Sequence, residues 1–424
     1  MIYKIRYREW GLVSIERHSP PTEVFMTEFQ QEILSLLRVS LNGEEPAGVN
    51  PKNATRIYQF AETQQLVAAL YCALLAVPGF EEQLESRRFL ERYCGYLGHD
   101  ATQTESMEQI FAAFDAEGIA YMPLKGTVLK DMYPSPEMRT MGDADILIHP
   151  EDYKRIEVIM RGLGSHFDEE SDHEYNWTTA DGSRIELHKC LIPSYNKDYY
   201  AYYGDGWGFA RLCEGSQTRY EMSPEDTFVY LFTHFAKHYR DQGVGLKYVL
   251  DFYVFMRRYP DLNKRYVKAE LEKLWLSEFY ENIMYMIDVW FFSAPATALS
   301  DYITDKIFSY GVFGNAELNV ISQGLKLSKT SKSAQTKKKL EMFFPPYAVM
   351  ARMYPILRKL AILLPFLWIV RLVDRTIHHR DRYRRGMANV ARMSDENISQ
   401  YQKELNYVGL DYHFGRDEPP PKGE

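Results

Sequence analysis

Two aspartates one residue apart, Asp143 and Asp145, head the apolar run Ile146-Leu147-Ile148. Alternate side chains of a strand share a face, so both carboxylates project together, roughly 6–7 Å apart. That spacing suits a hard divalent cation, Mg²⁺ (or Mn²⁺), which takes oxygen ligands and keeps positions for phosphate oxygens. Upstream, Leu124-Lys125-Gly126-Thr127 is a glycine turn with a cation and a hydroxyl beside it. Where such a turn opens a helix, backbone N–H groups can meet a triphosphate. Arg139, between turn and aspartates, carries a planar fork suited to phosphate oxygens. Glu186, in Arg184-Ile185-Glu186-Leu187-His188, adds a third carboxylate. If Ile185 and Leu187 face a core, Glu186 and His188 share the opposite face.

Three converging carboxylates satisfy two-metal chemistry, in which the protein chiefly positions groups and stabilises charge. Asp143, Asp145 and Glu186 are thus the expected metal ligands and catalytic carboxylates. Either aspartate can bridge the ions, and Glu186 can hold the nucleophile-side ion and act as base. The plainer reading makes Gly-Asp-Ala-Asp a solvated turn and Glu186 a surface residue.

The elements that must position these groups are legible around them. Thr104–Ala116 has helical spacing with Gly118 as its stop, Ile119–Leu124 reads as a short strand, and Gly126–Met132 as a short helix. Pro150 opens a helix from Glu151 to Arg161, and Ala180-Asp181-Gly182-Ser183 joins two alternating segments, His173–Thr179 and Arg184–Leu191, as a hairpin. This order predicts an α/β (α+β) core with a small mixed sheet, flanked by helical domains in a helix-rich chain. The expected division is an N-terminal helical domain over 1–100, the core over 101–195, and a helical domain over 196–325. A Lys-rich linker over 326–341 and a C-terminal helical region over 342–424 with a disordered tail complete it. Within the first part, Thr27–Leu41 and Ala54–Val77 are expected helices, the second with Asn53 as N-cap. Ser223 should cap a helix running to Tyr239, with Pro224 in its first turn.

These motifs resemble the nucleotidyltransferase superfamily with the DNA polymerase β-type fold. More narrowly they are similar to a largely uncharacterised bacterial nucleotidyltransferase group with the pattern L-K-G, Y-P, R, D-x-D-L-L-V and a carboxylate followed by L-H. Here these are Leu124-Lys125-Gly126, Tyr133-Pro134, Arg139, Asp143 to Ile148 and Glu186-Leu187-His188. Thr127 stands where the superfamily usually has serine, and Lys125 precedes the glycine. The resemblance implies transfer of a nucleoside monophosphate from an NTP, with ATP favoured, to an acceptor hydroxyl, releasing pyrophosphate. It implies nucleotide contacts from Lys125, Gly126, Thr127, Arg139 and His188. The later His234, Lys237 and His238, with Asp251 beyond, are similar to the same group, which implies that this helical region closes over the nucleotide and that Lys237 contacts phosphate. A non-catalytic nucleotide-binding or scaffold protein, peripheral to the membrane, is the alternative.

A net charge of −8 disfavours nucleic acid as acceptor and leaves a small molecule, sugar or protein. Four scattered cysteines without a CxxC pair, and an N-terminus lacking an apolar leader core, fit a reducing cytoplasm. The apolar run Leu360–Val370 is too short to span a membrane, but residues 352–385 carry nine Lys/Arg against two Asp. The plainer reading of that segment is a core helix with a solvated basic end; the other is contact with an anionic membrane surface or an acidic partner.

Overall fold

The structure, a computed structural model, describes residues 24–312, 314–328, 340–341, 343–378, 384, 388 and 394–410. The start of the N-terminal region, most of the Lys-rich linker and the C-terminal tail lie outside these residues.

Helix α1 (Glu28–Asn42) starts at a capping box in which Thr27 and Gln30 satisfy each other's backbone N–H. The long helix expected over 54–77 is two, α2 (Ala54–Gln64) and α3 (Val67–Leu74). Gln65 adopts a left-handed conformation, φ 54°, and turns the chain between them. Asn53 makes no side-chain cap bond; Asn50 caps the preceding short 3₁₀ turn instead. Helix α4 (Leu84–Ala116) runs unbroken through residue 100, where the sequence pattern suggested a boundary.

The sheet contains β1 (Tyr121–Pro123), β2 (Asp143–Ile148), β3 (His166–Glu170), β4 (Glu174–Thr178) and β5 (Arg184–His188), in the order β1-β2-β5-β4-β3. β2 and β5 are parallel, and the other pairs are antiparallel, so the sheet is mixed. Helix α5 (Gly126–Leu129) follows β1, and α6 (Tyr153–Gly162) crosses from β2 to β3. Ala144, Ile146, Ile148, Ile185 and Leu187 pack with Ile110 and Phe114 of α4 and Ile156 and Met160 of α6. Leu147 points the other way, into the large helical core. Period-2 alternation therefore turns Asp143, Asp145, Glu186 and His188 to the side of the helical body.

That body holds α7 (Lys197–Tyr203), α8 (Pro224–Gln242), α9 (Leu246–Arg258), α10 (Lys264–Lys273), α11 (Ser277–Phe291), α12 (Ala298–Ser309) and α13 (Ala316–Ser328). Ser223 caps α8 by accepting from the Asp226 N–H, with Pro224 in the first turn. The helices before residue 100 and those after 196 share one apolar core, in which Ile33, Val67, Phe232, Phe252 and Ile283 are fully buried or nearly so. Further along the chain come α14 (Tyr347–Met353), α15 (Leu364–His378) and α16 (Asp395–Tyr407).

Candidate active site

The parallel register pairs Asp145 with Glu186 and Leu147 with His188, which places the acidic residues of β2 and β5 side by side. Ligand atoms of Asp145, Glu186 and His188 lie within 4.8 Å of one another. The expected set was Asp143, Asp145 and Glu186. The structure adds His188 to the close group and leaves Asp143 on its flank, hydrogen-bonded to Glu186.

Asp145 is buried and accepts from Lys125 Nζ at 2.5 Å, and His188 Nε2 lies 2.7 Å from the same oxygen. Burial opposes the charged form of Asp145, but Lys125 and His188 outweigh it and hold the carboxyl well below its ordinary range. Asp143 behaves oppositely. Burial, with the negative charges of Asp145 and Glu186, pushes it up to about 7. The imbalance is what a site short of cationic charge produces, and oxygen donors with one imidazole are ligands that a divalent cation accepts. His188 Nδ1 is buried with no hydrogen-bond partner. The donor set fits a divalent cation.

Lys125 reaches Asp145 because of its backbone. It takes φ 50° and ψ −119°, a conformation L residues rarely adopt, at the junction of β1 and α5. The Leu124 N–H donates to the Asp145 carbonyl, which locks this junction against β2. The N–H groups of Thr127, Val128 and Leu129 close the turn itself by donating to Leu124 and Lys125 carbonyls. They are not directed at a ligand in this conformation. Gly126 sits close under Met141, where a Cβ would fall 2.6 Å from its sulfur. The Thr127 Oγ1 is buried and unpartnered.

Arg139 is placed differently from expectation. Its Nε and Nη2 form a two-pronged pair with Asp251 of α9, at 2.7 and 2.9 Å, and Nη1 donates to the Thr140 carbonyl. Tyr133 donates to the same Asp251 at 2.8 Å. The guanidinium, expected at phosphate, therefore ties the β1–β2 connection to α9. Lys247 does not pair with Asp251 across one helical turn; it donates to Gln65 Oε1 and to the Thr140 carbonyl.

Helix α8 lays a polar face toward the carboxylates. Tyr230, His234 and His238 all feel the Lys125 charge. Gln242 donates to His238 Nδ1, so His238 carries its proton on Nε2 and donates it to His234 Nε2 at 3.1 Å. Burial holds both imidazoles well below their ordinary value and hence neutral, helped by His238 at His234 and by the Lys237 charge at His238. Lys237 is half-buried and makes no ion pair among the described residues. Burial and the Lys125 charge lower it to about 8, and burial with Arg139 lowers Lys247 to about 7. A row of desolvated cations facing a carboxylate cluster can receive an anion together with a metal ion.

Tyr230 and Tyr248, on α8 and α9, escaped the sequence reading. Their spacing on α8 and α9 is ordinary core spacing, and only the contact between helices and sheet gives them their place.

The family model described as uncharacterised nucleotidyltransferase matches residues 50–292, from just before α2 to the end of α11. No curated protein matches significantly. A solution structure of the antibiotic-resistance factor ANT(2'')-Ia is 16% identical, with 40% of this chain and 90% of that chain covered and a TM-score of 0.31.

Proposed function

The chain belongs to a family of uncharacterised nucleotidyltransferases, and from that membership we propose that it transfers a nucleoside monophosphate from an NTP, with ATP favoured, to an acceptor hydroxyl and releases pyrophosphate. One observation carries the site assignment. Three carboxylates crowd one sheet face so closely that Asp143 is pushed to about 7 while Asp145 is held ionised by Lys125 and His188. Asp143, Asp145 and Glu186, with His188 beside them, would hold Mg²⁺ (or Mn²⁺). The bound cation would neutralise phosphate charge and polarise the reacting oxygens.

The residues of the chain do the remaining work. Lys125 keeps Asp145 ionised. Lys237, desolvated and without an ion pair among the described residues, supplies charge for the triphosphate, and the Thr127 hydroxyl supplies a donor. Arg139 acts one step back, by holding α9 and its Lys247 and Tyr248 against the sheet.

The test is incubation of the protein with each labelled NTP, Mg²⁺ and a cell extract. The expected result is label transferred from one NTP to a single acceptor species, abolished by chelation. Absence of transferred label with every NTP contradicts the assignment.

A further inference from the structure

Among the described residues, twelve of the twenty-three exposed large apolar side chains fall within residues 344–377. Helices α14 and α15 form a small unit with its own core of Met350, Ala351 and Leu357, against which Leu364, Leu367 and Trp368 of α15 pack. Trp368 Nε1 donates to the Pro345 carbonyl at 3.0 Å, and the inner face of α15 is mostly apolar, with Arg371 also buried there. Its outer face is apolar too. Phe366, Ile369, Val370 and Ile377 recur at helical spacing on that side and are 38 to 66% exposed. Ile362, just before the helix, is 85% exposed. Soluble monomers rarely show so contiguous an apolar surface.

We infer that the outer face of α15 lies in the headgroup region of an anionic lipid bilayer, with the helix in the plane of the membrane. Charge selects this occupant. Residues 352–385 have nine Lys/Arg and two Asp, a net of +7 in a chain whose total is −8, so the rest of the chain carries −15. Arg358 and Lys359, both exposed, sit between Ile356 and Leu360, where basic heads reach lipid phosphates while apolar neighbours enter the acyl boundary. A second copy would set this net-positive segment against another like it. The stripe also offers no polar group to select a protein partner, whereas an acyl layer requires none. No helix of the described residues is long and apolar enough to cross a membrane, so the contact is peripheral.

The full chain is tested by sedimentation with vesicles of phosphatidylcholine alone, or containing about 30 mol% phosphatidylglycerol. The expected result is strong binding to the anionic vesicles and several-fold weaker binding to the neutral ones. Phe366→Glu with Ile369→Glu should lower partitioning at least about tenfold, and Arg358→Glu with Lys359→Glu should remove the preference for anionic lipid. All four positions are exposed, so circular dichroism and thermal unfolding should match the parent. Wild-type protein that ignores anionic vesicles, or binding that survives Phe366→Glu with Ile369→Glu, overturns the inference. So does a concentration-dependent dimer that this pair of changes dissociates in the absence of lipid. The readout is independent of nucleotide transfer.

Discussion

Lys125 donates to Asp145 across 2.5 Å, from a residue held at φ 50° to the second aspartate of the D-x-D strand. A strained turn and a buried carboxylate are thereby one unit. Lys125→Met leaves Asp145 with His188 alone, and removing one partner of a buried pair costs about 3–5 kcal/mol. The double variant Lys125→Met/Asp145→Asn should fall well short of the sum of the singles in urea denaturation. Additive losses would show that the two residues are energetically separate.

The backbone at Lys125 gives a second expectation. Glycine enters this region of φ and ψ freely, and alanine does not. Lys125→Gly and Lys125→Ala both lose the ion pair, yet the glycine variant should be more stable by about 1 kcal/mol. Equal stabilities would mean that the turn is unstrained or rearranges.

Arg139 and Asp251 join two regions far apart in sequence through a buried two-pronged pair. Arg139→Ala and Asp251→Ala should each destabilise by about 3–5 kcal/mol and be strongly non-additive. Arg139→Lys should recover only part of the loss, because an ammonium cannot reproduce the fork. If Arg139→Ala instead left stability unchanged and raised only the KM for nucleotide, the residue would bind phosphate as the sequence reading expected.

That residue marks where sequence legibility ends. The D-x-D strand, the Asp-Gly hairpin carrying Glu186 and His188, and the Ser223-capped helix were readable because each depends on local periodicity or a short-range cap. The partner of Arg139 was not, since Asp251 meets it only through the packing of α9. Strand β3, His-Phe-Asp-Glu-Glu, is a mostly exposed edge with little apolar alternation and leaves almost no pattern to detect. The break at Gln65 carries no glycine or proline, and α4 runs through Gly95 and Gly98 without stopping. His188 was expected near nucleotide, but its place beside Asp145 depends on the parallel β2–β5 register, a tertiary fact.

Lys237 and Lys247 make stability depend on pH in a defined direction. Each lysine holds its proton to about 10.5 in the unfolded chain but releases it near 8 and near 7 when folded. Between those values the unfolded state binds more protons, so these groups make stability rise as pH rises from about 7 to about 10. Lys237→Met should stabilise the protein by about 1–2 kcal/mol at pH 7, after allowance for solvent screening, and flatten that rise. The same variant should weaken NTP binding in calorimetry, because the desolvated cation is the proposed phosphate contact. Stabilisation without loss of binding would assign Lys237 to the fold alone.

The account rests most heavily on the carboxylate cluster. Its direct measurement is pyrophosphate release from NTP with Mg²⁺ and acceptor-containing extract, comparing wild type with Asp143→Asn and Asp145→Asn. The expected result is loss of at least about a hundredfold in both variants, with folded, cooperatively melting protein in each case. Retained turnover in both variants would contradict the metal assignment.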